Sequence, residues 1–280
     1  MFRTGKCEFL QLQNTSDQLL TEDLFIAAKN CHAEGDARSA EKYYKQVLKL
    51  DPGNSSAIYL LAVLLHENGR NIRALSLLRK GLDTVGDQLQ LFNLFSTILN
   101  AIGNWDEAEQ AARKAIKIDP TNSEIWLNLA RSLAHKKEFK EAQESYIRHT
   151  QLSPNSSTGF CELASVFNAS GNFVSAVKAA KSATTLNPDS AKAYNSLGVA
   201  EFSLGNLENA RRSFFTAHKI NQDDHQISAN LSSVYYAQGL HAKAIKILED
   251  ILNSSIVEGL RGIVPARSTF SDKKSNFGVE

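Results

Sequence analysis

The chain has 280 residues, with 31 Lys and Arg against 30 Asp and Glu, for a formal charge of +1. So even a balance gives no general attraction to nucleic acid or to an anionic membrane, and the absence of any run of about eighteen apolar residues excludes a membrane-spanning helix. Three scattered cysteines (Cys7, Cys31 and Cys161) make no disulfide framework and point to a reducing compartment, the cytoplasm.

Residues 1–20 come first and stand outside the periodicity that follows. They lack the continuous apolar stretch of a signal peptide. With Phe2, Phe9, Leu10, Leu12, Leu19 and Leu20 they are nevertheless too apolar for a disordered leader. From residue 21 an alanine returns every 34 residues, seven times without a gap: Ala40, Ala74, Ala108, Ala142, Ala176, Ala210 and Ala244. Five residues before each stands a glycine (Gly35, Gly69, Gly103, Gly171, Gly205 and Gly239), with Lys137 the single departure. A fixed period of this length marks a repeat array rather than a globule around one centre.

The units run 21–54, 55–88, 89–122, 123–156, 157–190, 191–224 and 225–258. Each reads as two helices joined by a tight turn. In the third, Phe92, Phe95, Ser96 and Leu99 fall at i, i+3, i+4 and i+7, one face of a helix. Gly103 then ends that helix in a left-handed turn. Ala108, Ala112, Ala115 and Ile116 form the face of the second helix, which stops at Asp119-Pro120. The eighth place of every unit is small: Ala28, Ala62, Ser96, Ala130, Ala164, Gly198 and Ser232. Two helices approach closely only over such residues, facing the recurring alanine.

These residues carry a resemblance. The array is similar to the tetratricopeptide repeat family, with Trp126, Leu129, Ala130, Leu133, Ala142, Tyr146 and Pro154 matching its pattern place by place, as do Tyr194, Leu197, Gly198, Gly205, Ala210, Phe214 and Ala217. The resemblance implies an all-α fold, a right-handed α-α superhelix of about seven helical hairpins. Three positions depart from the pattern. His149 stands where a small core residue is usual and is expected to be a hydrogen-bonded core histidine. Glu201 stands at an apolar place and is expected at the helix edge or paired with Arg211 or Arg212. Gly86 replaces the proline of the second unit.

In this family the first helices line a concave groove. The places that would face it give an apolar half (Phe25, Ile26, Tyr59, Leu60, Val63 and Leu94) and a polar half (Asn93, Thr97, Asn128, Arg131, Glu162, Lys192, Asn195 and Asn230). Asparagines both donate and accept, so they hold a peptide backbone whatever its side chains. The apolar half needs an occupant. Residues 1–20, a tethered segment at high effective concentration, are the first expected one. A partner helix or a second copy is the alternative. The places that clamp a C-terminal carboxylate in chaperone-binding members hold Phe25, Lys29, Leu60, Gln90 and Leu94, or Asn93, Thr97, Asn128, Thr158 and Glu162. Neither set is basic, so no such clamp is expected.

The last helix carries Ile245, Leu248, Ile251 and Leu252 with no further amphipathic helix after it. Either Ile256–Val264 folds back over it, another chain covers it, or the natural protein continues. Residues 259–280 are read as a mostly mobile tail. No phosphate loop, nucleophile elbow or zinc-protease motif occurs, and no metal or cofactor is expected. The function expected is therefore a non-catalytic scaffold that binds a peptide or protein segment, with self-association through the apolar groove or the uncapped C-terminal end as further partner surfaces. The alternative is a substrate-recruiting or regulatory region of a larger enzyme, of glycosyltransferase or sulfotransferase type, cut near residue 280.

Overall fold

A computed structural model describes the backbone of residues 4–263 and the side chains of residues 18–253. Within these residues there are fourteen helices and no strand. The chain divides into two units, residues 1–186 and 187–280. The first contains α1 (Thr4–Ala33), α2 (Ala37–Leu50), α3 (Ser55–Glu67), α4 (Asn71–Val85), α5 (Leu89–Ile102), α6 (Trp105–Ile118), α7 (Ser123–His135), α8 (Phe139–Leu152), α9 (Ser157–Ala169) and α10 (Phe173–Leu186). The second contains α11 (Ala191–Ser203), α12 (Leu207–Ile220), α13 (His225–Ala237) and α14 (His241–Ile263). Within each unit successive helices pair as hairpins, and first helices neighbour one another: α3 with α5, α5 with α7, and α11 with α13.

Local signals set these elements. The turn glycines all take the left-handed conformation, from Gly69 at φ 70° to Gly35 at φ 82°. Lys137 takes it too, at φ 63°, although a side chain there is strained. The fold imposes the turn even where the sequence lacks its usual residue. A second signal, missed in the sequence reading, lies at the place just before the first helices α3, α7, α9, α11 and α13, whereas Gln88 before α5 makes no such bond. Asn54 accepts from Ala57 N at 3.0 Å, Asn122 from Glu124 N at 3.1 Å and Ser156 from Gly159 N at 3.1 Å. Ser190 and Asp224 do the same for α11 and α13. Each satisfies an otherwise unpaired amide of the first turn.

The small places sit at the hairpin crossings. Ala28, Ala62, Ser96, Ala130 and Ala164 are fully buried, as are Ala40, Ala74, Ala108, Ala142 and Ala176. Where the small residue is serine, its hydroxyl bonds across the crossing: Ser96 Oγ donates to the Ala108 carbonyl at 2.9 Å and Ser232 Oγ to the Ala244 carbonyl at 3.1 Å. Where it is Gly198, the ring of Phe214 fills the space, and a β-carbon would come within 2.6 Å of it.

His149 is the core histidine expected. It is fully buried. Its Nδ1 donates to the Ser123 carbonyl at 2.9 Å, which leaves Nε2 to accept from Ser156 Oγ at 3.0 Å. Its bulk is taken up by Gly159, where a β-carbon would lie 2.3 Å from the ring. Glu201 departs from expectation. It is buried, 4% exposed, and accepts from Asn206 Nδ2 at 2.7 Å. Arg211 and Arg212 pair with Glu208 instead. The amide of Asn206 lies one turn from Glu201 along the chain and reaches it without crossing the hairpin.

Arginine–glutamate clasps join neighbouring second helices on the outer face. Arg79 bonds Glu107 at 2.7 Å, and one repeat later Arg113 bonds Glu141 at 2.6 Å. Arg113 also takes its i,i+4 partner Glu109 at 2.7 Å. Arg70 clasps Glu41 from both guanidinium nitrogens, and this bonding, with Lys45 adding to it, holds the Glu41 carboxyl down at about 2.

Both ends differ from the sequence boundaries. The edge placed at residue 20 falls inside α1, which is uninterrupted from Thr4 to Ala33. A continuous helix carries residues 4–20 onward along its own axis, so the structure gives no support to their folding back over the groove. At the other end α14 runs unbroken to Ile263, past the boundary at 258, and so does not fold back over itself. The mobile tail expected after it falls, from residue 264 on, outside the described residues.

Two stability outcomes follow from this packing. Lys137→Gly should raise thermal stability by about 1 kcal/mol by relieving the left-handed strain; a lower melting temperature would contradict it. Gly159→Ala should cost about 1–3 kcal/mol against the His149 ring. In a His149→Ala background the same change should be neutral or stabilising, and equal penalties in the two backgrounds would remove the size-matching argument.

Candidate functional site

The polar groove residues of the first unit come together on α5, α7 and α9. Asn128, on α7, is only 3% exposed. Its Nδ2 donates to Asn93 Oδ1 at 2.8 Å and to Thr97 Oγ1 at 2.9 Å, both on α5. Thr97 in turn donates its hydroxyl to the Asn93 carbonyl at 2.9 Å. Both protons of Asn128 are therefore spent inside the protein, and the expected clamp residue is a strut between helices. Asn93 is half-buried, and its own Nδ2 takes no acceptor among the described residues. The donor left for a ligand sits on Asn93.

Sequence reading missed Asn100, one further groove-facing place along α5. Its Nδ2 donates to the Asn128 carbonyl at 2.9 Å, while its buried Oδ1 has no partner among the described residues. The signal was present: Asn93, Thr97 and Asn100 follow at i, i+4 and i+7 on one helical face.

Arg131 and Glu162 form the second part of this surface. Nε and one terminal nitrogen of Arg131 each donate to a different Glu162 oxygen at 2.9 Å, a bidentate pair between α7 and α9. Tyr146, reaching over from α8, donates its hydroxyl to Glu162 at 3.0 Å. Burial, reinforced by the Glu162 carboxylate, pushes the Tyr146 phenol above its usual range, so it stays a neutral donor. Burial also works against the Arg131 charge, but the Glu162 carboxylate outweighs it and holds that guanidinium above its ordinary value.

In the second unit Asn230 Nδ2 donates to Asn195 Oδ1 at 2.9 Å. This repeats the Asn128–Asn93 bond at the same places of a later hairpin pair. Gln226 supports Asn230 from one turn away at 3.2 Å, and Lys192 is exposed. Here too the half-buried Asn195 keeps a free amide among the described residues.

The apolar half is more closed than the sequence implied. Leu94 belongs to the core at 9% exposure, and Phe25, Tyr59, Leu60 and Val63 are half-buried. Ile26 alone of the six is exposed, at 51%. The reason is register: these places lie on the flank of first helices that pack against one another, so neighbours cover what a single helix would expose. Phe25 also meets Tyr44 edge-on at 6.1 Å.

Other polar groups serve packing. His32 meets Glu67 at 3.0 Å, and His66 meets Asn71 at 2.7 Å. Among the described residues no three His, Cys, Asp or Glu side chains gather to hold a metal, and no helix is long and apolar enough to cross a membrane.

The geometry defines a class: tandem helical hairpins with small residues at each crossing and a polar, hydrogen-bonded inner face. Tetratricopeptide repeat profiles match residues 32–94, 99–157 and 161–225. The chain belongs to the tetratricopeptide repeat family. A tetratricopeptide repeat protein from Parabacteroides merdae superposes with a TM-score of 0.66 at 14% identity, over 87% of this chain and 98% of that one. YrrB, described as a TPR protein with an unusual peptide-binding site, superposes with a TM-score of 0.58 at 18% identity, over 70% of this chain and 97% of its own. The protein STIP1 homolog of Dictyostelium discoideum is 30% identical over 90 residues, which are 32% of this chain and only 16% of that relative.

The strut and the free donor separate experimentally. Asn128→Ala should destabilise the fold by about 1–3 kcal/mol, because Asn93 and Thr97 lose a buried partner. Asn93→Asp, which keeps an oxygen to accept from Asn128 and removes only the spare donor, should cost less, within about 1 kcal/mol of the parent. Chemical denaturation of both variants checks this; equal losses would put Asn93 in the same structural role.

Proposed function

We propose that this protein is a non-catalytic interaction scaffold of the cytoplasm, and that its first unit holds an extended peptide segment against α5, α7 and α9. The carrying observation is the unspent amide of Asn93, held in place by the Asn128 bond to its carbonyl oxygen. A donor already oriented binds backbone carbonyl without further ordering cost. Beside it, the Arg131–Glu162 pair offers charge of both signs at an edge that is partly exposed. A groove of this composition favours main-chain contacts over any one side chain, the mode expected of an extended, polar ligand. The second unit offers a smaller site of the same design in Asn195, Asn230 and Lys192. The family's role as interaction scaffolds supports the non-catalytic reading, and the peptide-binding site ascribed to YrrB supports a peptide as the ligand class. The cytoplasmic placement draws on the three scattered cysteines, an odd set that makes no disulfide framework.

A random library of extended peptides, selected on the full chain and followed by fluorescence anisotropy, tests this. Selected peptides should bind Asn93→Ala about three- to tenfold more weakly than the parent, the loss of one oriented hydrogen bond. Arg131→Ala should shift which peptides are preferred. A library that yields no binder, or binders indifferent to both changes, would refute the reading.

A further inference from the structure

We propose that an acidic peptide segment bearing an apolar side chain docks on the outer face of the first unit, in the slot between the second helices α2 and α4. This slot shares no residue with the polar groove of α5, α7 and α9, and the inference does not rest on the peptide reading of that groove.

The repeat itself shows what the slot lacks. On the outer face Arg79 of α4 clasps Glu107 of α6, and Arg113 of α6 clasps Glu141 of α8. The same two places between α2 and α4 hold Lys45 and Arg73. A cation thus stands where the next two seams have their acid. The residues lining the slot include five cations (Lys45, Lys49, Arg70, Arg73 and Lys80) and one carboxylate, Glu41. The equivalent places one repeat later hold two cations and two carboxylates, and two repeats later three cations and four carboxylates. Glu41 is already shared between Arg70 and Lys45. Lys49, Arg73 and Lys80 are exposed and have no acidic partner among the described residues. In a chain whose formal charge is only +1, this is a concentrated positive field.

Between the basic ridges the floor is apolar. Leu61 and Leu65 of α3 lie at its base, 2% and 5% exposed, with half-buried Leu48 and Leu77 on its walls. One repeat later Phe95 stands in place of Leu61, and Arg79 stacks over its ring at 5.4 Å. Leu61 is smaller, and Lys45 turns back to Glu41 one turn away on its own helix. A cavity of about 520 Å³ is left between α2 and α4, a volume in the range of ligand sites.

These features select the occupant. A carboxylate is the group that the later seams place between the same helices, and Arg79 takes its one from two nitrogens. An Asp or Glu side chain entering between Lys45 and Arg73 supplies the absent acid. A Leu, Ile or Phe beside it reaches the floor, which a bare anion would leave uncovered. A bilayer fits less well, because the leucines are recessed below the charged rims and a flat surface would meet the lysines without reaching them.

A random decapeptide library selected on the full chain, with binders followed by fluorescence anisotropy, tests this. The selection should return a class rich in Asp and Glu beside Leu, Ile or Phe, whose affinity falls as salt rises. Arg73→Glu recreates the clasp of the later seams. It should therefore keep or raise the melting temperature while weakening this class about tenfold or more. Lys49→Ala/Lys80→Ala should weaken the class too, whereas Asn93→Ala, which acts on the groove, should leave it unchanged. No acidic class, binders indifferent to Arg73→Glu, binders lost with Asn93→Ala, or a lower melting temperature for Arg73→Glu would each overturn the proposal. If instead Arg73→Glu abolishes binding of the parent to phosphatidylserine vesicles, or a parent dimer in sedimentation velocity, the slot belongs to a membrane or to a second copy and the proposal fails. Groove binders are recognised by their loss with Asn93→Ala, so failure here leaves the groove reading standing.

Discussion

Everything in this fold depends on how closely two helices cross inside each hairpin. The recurring alanine meets a small residue on its partner, and both are sealed from water. At that separation, side chains one turn away interlock, and the burial of Leu and aromatic neighbours becomes favourable. The serine variants illustrate how tight the crossing is. Ser96 and Ser232 sit near enough to bond the backbone of the opposite helix, which a wider crossing would prevent. The glycine variant makes the same point by inversion, since Gly198 admits the Phe214 ring where a methyl group would collide.

Because each hairpin leans only on its neighbours, size is balanced locally. The largest departure from the family pattern, His149, is matched by the absence of a side chain at Gly159 in the next hairpin, and its two ring nitrogens are both satisfied. Gly81 and Ile58 make a similar exchange within one hairpin. The outer arginine–glutamate clasps, recurring at the repeat period, add charge contacts between consecutive second helices. Exposed pairs of this kind contribute modestly to stability, so the crossings and the capped helix starts carry most of the specification.

The inner face follows a different logic. Amides shut off from water need partners, and Asn128 and Asn230 find theirs on Asn93 and Asn195 of the adjacent first helices. One consequence is a division of labour between partners. Asn128 spends its donors on Asn93 and Thr97, and Asn230 spends one on Asn195, while Asn93 and Asn195 each keep a donor unspent among the described residues. Arg131 and Glu162 divide in the same way, with Tyr146 fixing the carboxylate from behind.

Sequence alone determined the number of hairpins, their register and the positions of their turns, because each of these is written in neighbouring residues and repeated. It also determined that His149 would be a core residue, since its place in the period is a core place. Only the tertiary structure decided which groove residues remain available. Leu94 and Asn128 read as surface on a single helix, yet the adjacent first helix covers one and engages the other. Glu201 likewise could not be assigned from periodicity, because its partner Asn206 is set by how the turn folds. A period records which face a side chain occupies; whether a neighbour then buries it, bonds it or leaves it open depends on distances between helices that no single repeat contains.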